Sequence, residues 1–446
     1  LKISIHPVIQ ILISAILILI PFFYNGAPLY YPDSMGYLFW GMQGLPPPER
    51  AGTYCMVIKG LSFGNSLWLV PVFQGLLVAG FLRFLFVRIF NIDKPVYLYF
   101  SSAVLGLGSS LGWTTAMLMP DIFCALSSLS LIILLLWRQR LHFTERVLVI
   151  LLFIASSLQH VSIFFINVLI IIGFTLYFLF TGESKRHWLN LLTMTTLIVL
   201  SYVGIGLIHK SMTGRFFISQ SSNAFLMGRL IETGILSNYL DQTCSVEQNP
   251  LCKYRGRLPM SCEHFMWNKE SFLNETGGLN DRQMLYGQTI QKIFSKPKFI
   301  FLFAQAGMKS MLKQCLLVKV GDGLGRTKSN VPQLKFYVSD LSDYHMSRQK
   351  AGIDFDWVNN LLFAVMGILL FLLFRNYSSL HISGEIRMFG IGLILLFLAN
   401  ALVNGALATP LNRYQARVFW LADVWLLAAL FPVLKSYFSF ESKSPQ

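Results

Sequence analysis

Two aspartates stand in the same local setting. Asp33 follows proline in Tyr31-Pro32-Asp33-Ser34, and Asp121 follows proline in Met119-Pro120-Asp121. Proline fits the first helical position, and an acid beside it complements the positive end of the helix dipole. That local role alone accounts for both residues. Each of these helix starts, however, borders a long apolar run. A carboxylate there is costly unless solvated or paired, and such acids line functional cavities. Asp33 and Asp121 are therefore candidate catalytic residues. His160, in Ser157-Leu158-Gln159-His160, lies at a break between two apolar runs and joins them at the same depth. A lone histidine at a break is most often a satisfied turn residue. Two aspartates and a histidine can share proton transfer or hold a divalent cation, and the residues alone leave both readings open.

Arginines supply the complementary charge. Arg50 follows Pro46-Pro47-Pro48-Glu49, a stiff segment that fixes where its side chain points, and Tyr54 comes four residues later. Pro410-Leu411-Asn412-Arg413-Tyr414-Gln415-Ala416-Arg417 sets Arg413 and Arg417 one turn apart on a helix face. Guanidinium groups pair bidentately with phosphate. Snorkelling to lipid headgroups explains the same pair without any substrate. Asp423 lies in the next apolar run and needs a partner, which one of these arginines or a polar residue of another run can supply. Cys244, Cys252 and Cys262 cluster in a polar stretch. An oxidising compartment permits one bridge, for which Cys244–Cys252 is favoured; adding His264 produces no common zinc-ligand spacing. Gly321-Asp322-Gly323-Leu324-Gly325-Arg326-Thr327 lacks the Walker lysine and reads as a flexible loop.

These residues need elements to position them, and composition says which kind. Of 446 residues, 54% are hydrophobic and 13% charged, about half the charged share of a soluble domain. Roughly 20 apolar residues cross a bilayer as a helix. The predicted architecture is an all-α integral membrane protein with about ten transmembrane helices, at 5–23, 64–86, 95–112, 121–137, 147–158, 162–180, 189–208, 357–374, 388–408 and 417–434. As one helix, 147–180 would be about 51 Å long against a hydrocarbon core of about 30 Å, hence the break at His160. The break also puts the basic clusters Arg83-Arg88-Lys94, Arg138-Arg140-Arg146 and Lys185-Arg186 on one side, as the positive-inside rule requires. The first run reads as a retained span, because no small-residue cleavage site follows it. Continuous runs argue against a β-barrel. The net charge of +15 flanks the spans, so it reads as topology and attraction to membrane lipid, not nucleic-acid binding.

The chain divides into a transmembrane module 1–208 with outer loops 24–63 and 113–120, an extracytoplasmic insertion 209–356 of mixed structure, and a transmembrane module 357–446. Within the insertion, 223–240 reads as a helix and 298–319 as an interfacial helix, with Lys309 and Lys313 one turn apart among apolar residues.

The order of these motifs is an acid after the first span, Arg50 to Tyr54 before the second, an acid opening the fourth, a histidine at the next outer turn and Arg413-Tyr414 before the last. This order resembles the GT-C superfamily of membrane glycosyltransferases, which includes protein O-mannosyltransferases and aminoarabinose transferases. The resemblance implies a polyprenyl-phosphate-linked sugar donor, a glycan, lipid or protein acceptor, and catalysis at Asp33. It also implies that Arg50, Tyr54, Arg413, Tyr414 and Arg417 bind substrate. The paired acidic dipeptide of many members is absent, one acid standing in Pro32-Asp33-Ser34, so Asp33 is favoured as general base over metal ligand. No cofactor is expected beyond a divalent cation. The implied location is the bacterial inner membrane, with the active face toward the periplasm or exterior. The alternatives are a lipid or polysaccharide transporter without catalysis, and a surface-glycan polymerase or ligase.

Overall fold

A computed structural model of the chain describes residues 6–278, 283–324, 342–380 and 382–438; Gly325, Arg326 and Thr327 lie outside them. In hydrocarbon every backbone polar group needs a partner within its own segment, so continuous apolar runs become helices. Helix makes up 78% of the structure, and there is no strand among the described residues. Among the described residues one parallel bridge, Leu29 to Met117, ties the 24–63 and 113–120 segments together.

The apolar runs picked out above are largely helical, but 5–23 divides into Pro7–Ile18 and Ile20–Asn25, and 95–112 into Pro95–Gly108 and Ser110–Ala116. Six helices are long and apolar enough to cross a bilayer: Leu69–Ile89, Val161–Phe180, Ser184–Thr213, Phe355–Arg375, Gly384–Leu407 and Asn412–Lys435. The protein is thus an all-α, multi-pass membrane protein. Length does not support the expected ten. Pro7–Ile18, Pro95–Gly108, Asp121–Leu136 and Phe143–Ser157 have 12, 14, 16 and 15 residues, short of the roughly 20 that a full crossing takes. Asp121–Leu136 is nevertheless the centre of the bundle, buried at every position from Asp121 to Leu135. A helix apolar all round is a core helix.

The break near 157–160 is present. Phe143–Ser157 ends there and Val161–Phe180 begins, with His160 as its cap accepting the Ser162 amide at 3.1 Å. The turn puts the starts of Pro32–Gln43, Asp121–Leu136, Val161–Phe180 and Asn412–Phe438 at one end of the bundle. Ser184–Thr213 and Gly384–Leu407 finish at that same end: His209 accepts the Gly52 amide at 2.9 Å, and Asn404 faces Arg417 at 3.4 Å. The basic clusters occupy the other end, where Arg88 pairs with Glu145 at 2.6 Å and Arg140 with Glu385 at 2.7 Å.

The insertion departs from the expected mixed structure, its described residues being helices and turns. The 223–240 run is two helices, Ser222–Glu232 and Ile235–Thr243, because Gly234 takes a left-handed φ of 72° between them. These pack with Cys262–Trp267, Gln283–Phe294 and the start of Pro297–Leu316 around a second apolar core that includes Leu230, Leu236, Phe265, Tyr286 and Phe299. The expected interfacial helix is Pro297–Leu316. Its first half belongs to that second core, while Gly405 of the Gly384–Leu407 helix lies against Ser310 and Met311, so closely that a Cβ would meet the Met311 nitrogen at 2.8 Å.

Candidate functional site

The helix starts gathered at one end of the bundle bring five charged side chains into a single line. Arg50 Nη2 lies 2.8 Å from Asp33 Oδ1, and Arg413 Nη1 lies 3.3 Å from Asp33 Oδ2. Arg413 Nε is 3.9 Å from Asp121 Oδ1, and Arg417 Nη1 is 3.8 Å from the same oxygen. The sequence Arg50–Asp33–Arg413–Asp121–Arg417 therefore alternates in sign. The side chains of Arg413, Asp121 and Arg417 are 8, 3 and 2% exposed, and Asp33 is the most open at 27%. The two ends of the line differ. At the first, contacts are at hydrogen-bond length and Glu49 backs Arg50 at 4.0 Å. At the second, two guanidiniums share one carboxylate at distances too long for hydrogen bonds, and Arg413 Nε is buried without a hydrogen-bond partner. A buried donor left unmatched is costly, so this end is suited to receive an anion.

Neighbours hold the line in place. The Arg413 guanidinium lies over the Tyr31 ring at 4.0 Å and near the Tyr414 ring at 5.1 Å. Arg417 donates to Asn400 Oδ1 at 2.9 Å, to Asn404 Oδ1 at 3.4 Å and to Ser162 Oγ at 3.4 Å. Asn400 and Asn404 are one helical turn apart and buried in a span, where a polar pair facing an arginine satisfies both. Their type and spacing in an apolar run were the available signal. Tyr31, Ser162, Asn400 and Asn404 are the site residues that motif reading missed.

The space beside Arg413 is small. A cavity of about 20 Å³ lies there against Trp113, Met117, Val320 and Asp322, room for about one water. Residues 317–324 cover it. Asp322 accepts from the Asn412 amide at 2.9 Å and its side chain at 3.2 Å, and Val320 exchanges two 2.9 Å hydrogen bonds with Asn359. Gly323 lies so close to the Tyr31 ring that a Cβ would come within 2.3 Å of it, and Gly321 is as tightly seated against Phe355. The described part of the glycine-rich stretch is therefore a fitted cover, with glycine present because no side chain fits, not the flexible loop its composition suggests.

Asp33, Asp121, Arg50, Arg413, Tyr414 and Arg417 come together. Tyr54 does not reach them: its hydroxyl donates to Gln74 at 3.0 Å and its ring packs on Tyr37 and Phe123, so it is fully buried support. His160 is bonded to Ser162, which in turn meets Arg417. Burial, then Arg417, Arg413 and Arg50, push its pKa down to about 3; a histidine held neutral in this way is a weak base near pH 7. Burial raises the Asp33 carboxyl, but Arg50 and Arg413 outweigh it and hold the group below the ordinary carboxylate value. The divalent-cation arrangement of Asp33, Asp121 and His160 is not formed. Arg413 stands between the two carboxylates, and no group of three metal-ligating side chains exists among the described residues. Asp423 is not paired with either arginine. It faces another side of their helix, and its buried Oδ1 has no hydrogen-bond partner. In the insertion Cys244 and Cys252 form the disulfide, while Cys262 is a free buried thiol packed against Gly228. The chain matches no protein-family model, no curated protein and no solved structure.

Proposed function

We propose that the chain is a GT-C-like membrane glycosyltransferase, moving a sugar from a polyprenyl-phosphate donor to a glycan, lipid or protein acceptor outside the cytoplasm. The observation that carries this reading is the alternation Arg50–Asp33–Arg413–Asp121–Arg417, buried from Arg413 onward and half-buried at Asp33, at one end of a helical membrane bundle. Fixed guanidiniums in a site shielded from water stabilise charge that develops on a departing phosphate. Arg413 and Arg417 take that role. The donor phosphate competes with Asp33 for Arg413, and losing that partner raises the basicity of Asp33 once the donor is seated. Asp33 then accepts the proton of the acceptor hydroxyl as its oxygen bonds to the anomeric carbon. The bond from that carbon to the phosphate oxygen breaks, and the electron pair stays on the phosphate. The covering residues 317–324 must move for the headgroup to enter, because about 20 Å³ holds no sugar.

The basic clusters at the far end support a bacterial inner-membrane orientation with the site toward the periplasm or exterior. Four shorter helices added to the six long ones make ten crossings, Pro7–Ile18 being extended by Ile20–Asn25. A second reading, a surface-glycan polymerase or ligase, draws on the clamped state of Asp33, since the arginines serve phosphate departure without that carboxylate as base. Transfer by purified protein in liposomes, from a polyprenyl-phosphate sugar to a soluble acceptor, tests both. Asp33→Asn and Arg413→Ala each cut transfer by about 100-fold or more under the first reading. Full transfer by Asp33→Asn alone leaves only the second, and full transfer by both variants ends both readings. Movement of the donor across the bilayer with no acceptor present would mark a transporter.

A further inference from the structure

The Pro297–Leu316 helix carries an outward stripe that the transfer reading does not use. Phe301, Met308, Leu312 and Leu316 are 69, 53, 62 and 81% exposed, and their spacing puts them on one helix face. Lys309 and Lys313 follow the stripe one position along, and among the described residues neither lies in a salt bridge. The second half of the helix is seated on Gly384–Leu407 at Ser310, Met311 and Gly405. Since Gly384–Leu407 is long enough to cross the bilayer and Gly405 is near its end, the stripe lies at the membrane boundary.

Beside Lys309 opens a cavity of about 320 Å³, walled by Thr233, Gly234, Asn238 and Gln305 with Leu302 at its apolar edge. The Ile235–Thr243 helix begins at this wall, and no side chain caps its first amides. The carbonyls of Arg229 and Leu230, at the end of the preceding helix, are occupied by the Thr233 hydroxyl at 2.8 and 3.4 Å. An ammonium, two side-chain amides and a positive helix end therefore border one space, with apolar surface running away from it.

We propose that this cavity binds the phosphate headgroup of an anionic membrane lipid, whose acyl chains lie along Phe301, Met308 and Leu312. Charge selects a phosphate, and the stripe selects a lipid over a free phosphate, since a water-soluble ligand would leave that apolar surface bare. The site is separate from the arginine line and stands whether or not the chain transfers sugar.

Short-chain fluorescent phosphatidylglycerol, titrated into the full chain held in phosphatidylcholine nanodiscs, tests the proposal. Saturable binding is expected, weakened at least tenfold by Lys309→Glu. Lys298→Glu makes the same charge change at the other end of the helix and shifts affinity less than twofold. Asp33→Asn binds as the unaltered chain does, so failure of the transfer reading leaves this result intact. Three results would overturn the proposal: no saturable binding, equal losses in both lysine variants, or inorganic phosphate binding as tightly as the lipid.

Discussion

Arg229 and Arg413 are both buried guanidiniums beside a carboxylate, with side chains 2 and 8% exposed. Their donors fare differently. Arg229 meets Gly405 O at 2.9 Å, Ser310 Oγ at 3.1 Å, Ala406 O at 3.3 Å and Glu232 at 3.0 Å. It fastens the insertion to the end of the Gly384–Leu407 helix, and each of its three nitrogens has a partner. Arg413 keeps a buried Nε without a hydrogen bond and shares both of its carboxylates with other arginines. Burial is common to both; satisfaction separates the fastening from the site. A fully matched buried charge rigidifies, whereas a partly matched one invites the group that completes it.

The comparison can be broken most directly at Arg229. Arg229→Ala leaves two span carbonyls without this donor and Glu232 without its cation, so unfolding in detergent should move down by about 3–5 kcal/mol. A loss of under 1 kcal/mol would remove its fastening role. Arg413→Ala is expected to do the reverse, since Arg50 still holds Asp33 and Arg417 still holds Asp121. On the transfer reading, the rate should drop about 100- to 1,000-fold while the melting temperature moves by a few degrees. If Arg413→Ala unfolds the protein as Arg229→Ala does, the contrast is void.

Smaller effects sharpen the same division between fastening and site. Cys244→Ser opens a disulfide spanning eight residues, worth about 2.5 kcal/mol on chain-entropy grounds. The loss should appear as faster proteolysis of the insertion with transfer unchanged at low temperature. Gly323→Ala pushes a methyl into the Tyr31 ring at a left-handed φ of 69° and should cost about 1–3 kcal/mol. It should also shift the intrinsic fluorescence or cross-linking of the cover before it affects the insertion. The smallest expected effect is the pH dependence from Asp33. Its pKa is lowered in the folded chain, so its stabilising contribution is complete above the ordinary value of 3.8 and is lost as pH falls below that toward the folded value. Melting curves of the unaltered chain should lose stability across that acid window, and Asp33→Asn should lack that part of the slope.

Much of this was legible from residue types. Proline-acid pairs at Asp33 and Asp121 and the Arg413-Arg417 spacing pointed to one end of the bundle, and they meet there. Cys244–Cys252 was the favoured pairing among three nearby cysteines, and it is the one formed. Tyr54 was misplaced because an aromatic near a motif does not reveal which way it points; packing turned it toward Gln74. The described part of the glycine-rich stretch, Gly321 to Leu324, misled because glycine serves flexibility and close approach equally well, and only the neighbours Tyr31 and Phe355 distinguish them.

Long apolar runs must be helical in a bilayer whatever they touch, since each can satisfy its backbone alone; helix, membrane and the rough placement of the acids follow from the chain's own order. What surrounds each charge does not. Asp33 and Arg413 are 380 residues apart, and their contact, the two-arginine hold on Asp33 and the cover over Arg413 arise from how helices pack. Those distances depend on side-chain shape at many separated positions, so only the folded chain decides them.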